Sequence, residues 1–157
     1  DVLARKAALG TAVHTACELL DTGTLDWSTV TEEMTGYVLA YLRFLDEVKP
    51  EILANEERFA SAKLRFAGTM DKRARVAGKH CIIDLKCTAS LSPIVALQTA
   101  AYEGLVKENT GVKVEGRYAL QLKPDESYVF QPYKSKTDWQ VFCNLLGVHH
   151  WKVANGI

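Results

Sequence analysis

The sequence predicts a mixed α/β fold in which a central sheet is flanked by helices. The first fifty or so residues carry apolar side chains at three- and four-residue spacing, which indicates helices. The next stretch changes to short runs with strand character, and helix and strand patterns then alternate to the end. With 157 residues, of which 48% are hydrophobic and 24% charged, the chain suits one folded domain over 1–157. Asp1 is not an initiator methionine, so a truncated N-terminus is compatible with the sequence.

The first two predicted elements are helices. Leu3, Ala7, His14 and Cys17 lie on one apolar stripe of the first helix, which ends at the turn-forming sequence Asp21-Thr22-Gly23. Capping residues in 26–31 begin a second helix, which extends to about residue 48 before a proline.

Three strands, a helix, two strands and a last helix are predicted to follow. Pro93 favours the start of the third helix and Gly111 its end. The predicted strands are 52–59, 64–76, 80–86, 114–122 and 128–133, and the later helices are 93–109 and 136–153. The resulting order ααβββαββα is typical of a mixed sheet with helical layers.

The most informative residues lie on the second and third strands. Asp84 and Lys86 are two positions apart, and side chains on a strand alternate between faces, so these two share a face. If Ala77-Gly78 forms a two-residue turn, Asp71 lies opposite Asp84, and if Gly78-Lys79 forms it, Asp71 lies opposite Lys86. Both registers place all three side chains on one face, whereas a three-residue loop without a bulge would not.

These three residues have the chemistry of a cation site. Directly opposed carboxylates repel each other, and a divalent cation between Asp71 and Asp84 removes that repulsion. Carboxylate oxygens suit Mg²⁺ or Mn²⁺, and Lys86 could stabilise a negatively charged substrate group. The alternative is a solvated strand face on which Lys86 only offsets two aspartates.

Two helices offer further candidates. His14 lies on an apolar stripe, where a hydrogen-bonded core histidine is the common case, but imidazole is also a ligand that Mn²⁺ accepts. Glu18 follows one turn later and could orient His14. Gln98 and Tyr102 share a helix face, where they could contact DNA, although ordinary helix packing explains Tyr102 equally well.

In combination, these residues resemble the RecB-like branch of the PD-(D/E)XK nuclease superfamily, particularly phage-type exonucleases. Five motifs stand in the family's order across about residues 10–102. They are Gly10-Thr11-Ala12-Val13-His14, Glu57-Arg58-Phe59, Gly68-Thr69-Met70-Asp71, Asp84-Leu85-Lys86 and Gln98-Thr99-Ala100-Ala101-Tyr102.

The resemblance implies a PD-(D/E)XK restriction-endonuclease-like core and hydrolysis of phosphodiester bonds in DNA. It implies that His14, Asp71, Asp84 and the main-chain carbonyl of Leu85 hold Mg²⁺ or Mn²⁺. It further implies that Lys86 positions or activates the attacking water. Gln98 and Tyr102 match the family's helix beside the active site, and Glu57 matches a recurrent family glutamate that we count among the catalytic candidates.

The charge and cysteine content of the chain bear on how it would bind DNA and on whether it carries an iron–sulfur cluster. Nineteen basic and 19 acidic residues give a formal net charge of zero, which argues against binding by broad phosphate neutralisation alone. A basic cluster nevertheless surrounds the central strands, and within it Lys72 and Arg75 are candidates for contact with DNA phosphate. Only Cys143 follows Cys87, so we expect no iron–sulfur cluster of the kind that some family members carry.

The sequence therefore predicts a Mg²⁺- or Mn²⁺-dependent deoxyribonuclease, and an exonuclease in preference to an endonuclease. DNA recombination, repair or processing in a bacterial or phage-infected cytoplasm is the expected setting, without a membrane. A homo-oligomer and a phage recombination partner are both compatible with it. The alternative is a catalytically silent nuclease-like module that binds DNA or a protein.

Overall fold

The computed structural model describes residues 1–157, and its elements confirm the predicted order. The helices are α1 (Val2–Asp21), α2 (Glu32–Val48), α3 (Ile94–Thr110) and α4 (Asp138–Ala154), with a short 3₁₀ turn at Trp27–Thr29. The strands are β1 (Glu51–Ser61), β2 (Phe66–Val76), β3 (Lys79–Lys86), β4 (Gly116–Leu122) and β5 (Tyr128–Pro132).

The five strands form one mixed sheet in the order β1-β2-β3-β4-β5. Neighbouring strands are antiparallel except for β3 and β4, which are parallel because α3 carries the chain back between them. The central strand β3 is buried continuously from Cys81 to Leu85. This observation confirms the predicted mixed α/β sheet flanked by helices.

Helices cover the sheet on both faces. The larger apolar core lies between the sheet and the pair α1 and α2, and it includes Val38, Phe44, Ile83 and Leu120. A smaller cluster lies under α3, and α4 packs against the outside of α3. No helix combines the length and apolar character that a membrane crossing requires.

Candidate metal centre

The turn between β2 and β3 decides where Asp71 lies relative to Asp84. Val76 pairs with Lys79, so Ala77-Gly78 is a two-residue turn. Both turn residues have positive φ, 49° and 78°, as a type I′ hairpin turn requires. The paired positions run as far as Lys72 opposite Ile83, which is the first of the two registers expected from the sequence, and Asp71 and Asp84 are the next residues of the two strands.

The side chains of β2 change faces at Asp71. In a regular strand Met70 and Lys72 would share a face, but Met70 packs in the cluster under α3 and Lys72 binds a residue of α1. On the neighbouring strand β1, Glu56 has a φ of 49°. A non-glycine residue in that region costs on the order of 1–3 kcal/mol and persists only where its surroundings hold it. The irregular backbone leaves Glu56 and Asp71 side by side.

A histidine and two carboxylates meet at this point. Ligand-type atoms of His14, Glu56 and Asp71 all lie within 4.8 Å of one another. His14 Nδ1 is 3.4 Å from Asp71 Oδ1, and the backbone N–H of Leu85 donates to Asp71 Oδ2 at 2.7 Å. The first helix therefore brings His14 to the Asp71 carboxylate, as expected, and Leu85 lies beside the same carboxylate. Glu56 is a participant that the sequence did not reveal.

Asp84 is the most deeply buried acid of the site, with a side chain only 2% exposed. The Lys86 ammonium lies 2.8 Å from Asp84 Oδ2 and forms an ion pair with it. Burial, reinforced by the negative charge of Asp71, raises the pKa of Asp84 to about 6, although Lys86 and His14 oppose the shift.

The neighbouring groups respond to the same crowding of negative charge. Burial lowers the pKa of His14, but its hydrogen bond to Asp71 and the charge of Asp71 outweigh burial and leave the pKa above its usual value. The pKa of Glu56 is raised by burial first and by the charges of Asp71 and Glu18 second. His14, Glu56 and Asp84 therefore each have a pKa above the ordinary value and hold a proton more tightly than an isolated side chain would.

Two residues of α3 hold Lys86 in place. The Lys86 ammonium donates to Gln98 Oε1 at 3.3 Å, and Gln98 Nε2 donates to the Tyr102 hydroxyl at 2.8 Å. Tyr102 reaches this position over Gly68, where a Cβ atom would stand 2.8 Å from its ring. The structure thus explains the glycine three residues before Asp71 as a requirement of close packing.

The candidate metal centre opens into a cleft between α1, the end of β3 and the turn after β4. His14, Glu56, Asp71 and Lys86 line its floor, and Glu18 lines its α1 wall. The side chains that line its outer part include two further lysines, Lys6 and Lys123. Neither lysine stood out in the sequence, because only the fold brings residue 6 and residue 123 to one cleft.

Three other predicted residues lie elsewhere. Glu57 forms a two-bond ion pair with Arg73, at 2.8 and 3.0 Å, and is not one of the clustered ligands. Lys72 is only 2% exposed and binds inside the protein, so the expectation that it contacts DNA phosphate is wrong. Arg75 is exposed and pairs with Glu51, so its contact with DNA stays a prediction.

The residues present fit a divalent cation. One imidazole and the carboxylates of Glu56, Asp71 and Asp84 form the donor set that Mn²⁺ accepts, and oxygen donors alone suit Mg²⁺. The buried Asp84 carboxylate, which is paired with Lys86, would gain a second positive partner from such an ion. The fit therefore rests on the chemistry of the donors and on the close spacing of His14, Glu56 and Asp71.

Comparison with known proteins supports the fold. No model of a protein family matches the chain, and no curated protein matches it in sequence. The crystal structure of a "Putative exonuclease" from Eubacterium rectale aligns with 94% of this chain and 68% of its own, with a TM-score of 0.59 and 11% identity. The structure of SSO0001 aligns with 71% of this chain and 56% of its own, at 16% identity. Its TM-score of 0.43 is too low to indicate a shared fold.

The Eubacterium rectale protein and this chain share a fold, since the alignment covers nearly the whole chain. At 11% identity the likeness concerns the fold alone. The five-stranded mixed sheet with helices on both faces is consistent with a PD-(D/E)XK-like core.

Proposed function

We propose that this chain is a Mg²⁺- or Mn²⁺-dependent deoxyribonuclease that hydrolyses phosphodiester bonds. The observation that carries the proposal is the convergence of His14, Glu56 and Asp71 in an open cleft that Lys86 also lines, with the buried Asp84 paired to Lys86. Acidic ligands for a cation together with a lysine form a suitable site for cutting a phosphate ester.

Four side chains and one backbone group would hold the cation: His14, Glu56, Asp71, Asp84 and the carbonyl of Leu85. When bound, a divalent cation lowers the pKa of water and offsets negative charge on the phosphate. Glu56 is the glutamate of β1 that we place at the site, because it belongs to the ligand cluster, whereas Glu57, the catalytic candidate suggested by the family resemblance, pairs with Arg73.

Lys86 would supply positive charge at the site from the protein, in addition to the charge of the cation. In hydrolysis a water oxygen bonds to phosphorus while one phosphorus–oxygen bond breaks, which leaves a phosphate end and a hydroxyl end. The Lys86 ammonium would orient the scissile phosphate and stabilise the charge that develops on it. Gln98 and Tyr102 restrict its position, and a fixed donor stabilises developing charge better than a mobile one.

DNA is the proposed substrate, and cutting from an end is the proposed mode. The exonuclease-like motifs in the sequence support this choice, and so does the name of the Eubacterium rectale protein. Lys6 and Lys123 in the cleft, and Arg75 further along β2, would contact the phosphate backbone. DNA recombination, repair or processing in a bacterial or phage-infected cytoplasm is the proposed setting.

The decisive experiment is incubation with end-labelled linear DNA and with covalently closed circular DNA, in Mn²⁺ and in chelator. We expect progressive shortening of linear DNA in Mn²⁺ only, with circular DNA intact. Asp84→Asn should abolish the shortening, whereas Asp46→Asn, a matched change at an exposed position on α2, should not. Cleavage of the circle would indicate an endonuclease. DNA binding without any cleavage would instead support the catalytically silent module.

A further inference from the structure

A second cluster of polar side chains is buried next to the candidate metal centre. Lys72 Nζ donates to Asp21 Oδ2 at 2.5 Å and to Asn55 Oδ1 at 2.8 Å. The Tyr41 hydroxyl donates to the other Asp21 oxygen at 2.6 Å, and the Lys72 ammonium lies 5.0 Å from the Tyr41 ring centroid. The side chains of Lys72 and Asp21 are each only 2% exposed.

Stability alone does not account for this cluster. Removing two charges from water is costly, and an apolar pair of similar volume is often equally stable or more stable in such a position. The cluster does have a geometric effect, since both Asp21 oxygens and the Lys72 ammonium are bound at short, directional distances. It ties the end of α1 to β1, β2 and α2 in one arrangement.

Two members of the cluster are sequence neighbours of proposed ligands. Lys72 directly follows Asp71 on β2, and Asn55 directly precedes Glu56 on β1. These are the positions where the strand side chains change faces, and Glu56 has positive φ. The Lys72–Asn55 hydrogen bond therefore links the two strands at the irregular positions that bring both carboxylates to the cleft.

The third connection runs along α1. Asp21 and His14 are seven residues apart, so they lie on the same side of the helix, separated by about two turns. His14 contacts Asp71, and Asp21 contacts the next residue of β2. Two contacts from one helix to adjacent residues of one strand fix both the position and the rotation of that helix.

We infer that the Asp21–Lys72 ion pair, with Asn55, is a positioning device for the metal centre. It holds His14, Glu56 and Asp71 at the mutual distances that cation binding needs, while touching none of the reacting atoms. This inference rests on the metal centre that the proposed function requires.

The test is the double variant Asp21→Asn/Lys72→Met, which removes both charges and leaves every proposed ligand in place. Asparagine at position 21 can still accept from the Tyr41 hydroxyl, and the double change leaves no unpaired charge, so we expect a folded protein. Its Mn²⁺ dissociation constant, measured by calorimetry well below its melting temperature, should rise on the order of tenfold or more, as for other partners that orient metal ligands. A merely stabilising cluster would alter the Tm and leave the Mn²⁺ affinity of the folded protein unchanged.

The matched control is Arg43→Met/Glu47→Gln, which removes an exposed ion pair on α2 and should keep the parental Mn²⁺ affinity. A folded Asp21→Asn/Lys72→Met protein that binds Mn²⁺ like the parent overturns the inference. If that variant does not fold, Asn55→Ala decides, with Mn²⁺ binding expected to weaken on the order of tenfold and parental affinity overturning the inference. A parent that binds no Mn²⁺ overturns the proposed metal centre itself, and this inference with it.

Discussion

Replacing Asp84 with asparagine should make the protein more stable without metal and insensitive to metal. Without a cation, the buried Asp84 carboxylate lies beside Asp71, and burial together with that charge raises its pKa to about 6. An unperturbed aspartate has a pKa of 3.8, so the folded protein keeps this proton to higher pH than the unfolded chain does. Stability therefore falls as pH rises through the window between these values, and the deficit persists above it.

The size of the effect follows from the shift. About two pKa units correspond to roughly 3 kcal/mol of stability lost at neutral pH. The shift already contains the opposing effect of Lys86, so asparagine, which carries no charge, removes at most roughly this 3 kcal/mol. For a domain of this length, about 1 kcal/mol changes Tm by about 2–4 °C. The variant should thus melt up to about 6–12 °C above the parent at pH 7.5 in chelator.

Thermal melts at pH 4 and pH 7.5, each with chelator and with Mn²⁺, provide the assay. The gain of Asp84→Asn should shrink at pH 4, where the parent carboxyl group is largely protonated. Mn²⁺ at about a hundred times its dissociation constant should stabilise the parent by about 2.7 kcal/mol and the variant hardly at all. Asp46→Asn serves as the control. The reasoning fails if Asp84→Asn melts below the parent in chelator at pH 7.5, or if Mn²⁺ raises both melting temperatures equally.

Three further predictions concern the residues around this aspartate. Lys86→Ala should retain Mn²⁺ binding but lower the single-turnover cleavage rate on the order of 10²–10³-fold. Cleavage at the parental rate would show that Lys86 has no catalytic role. Glu56→Gln should weaken Mn²⁺ binding in calorimetry while Glu57→Gln, its matched neighbour, should not; the reverse result would restore the glutamate suggested by the family resemblance. Gly68→Ala should displace Tyr102, lower stability by about 1–3 kcal/mol in thermal melts and slow cleavage, because the added Cβ would stand 2.8 Å from the ring. An alanine variant with unchanged Tm and rate would show that the ring moves aside at no cost.

Local patterns in the sequence determined much of the fold. Apolar spacing, Pro93 and Gly111 were sufficient to order the helices and strands, because periodicity and chain-breaking residues act over a few positions. The sequence also offered the two-residue hairpin turn that the structure has, and the alternation of a strand was sufficient to place Asp84 and Lys86 on one face. These are near-neighbour relations, which a single sequence records directly.

Contacts between distant segments were decided only by the tertiary structure. Lys72 was expected at the surface, but Asp21, 51 positions away in the chain, binds it in the interior. Glu57 was expected in the site, but the positive φ of Glu56 and the change of faces beside it bring Glu56 there instead. The sequence pattern of a strand does not show where the alternation of its side chains is interrupted. Here the interruption involves the strained backbone of Glu56, which is tolerated only where α1, β1 and β2 are already held together.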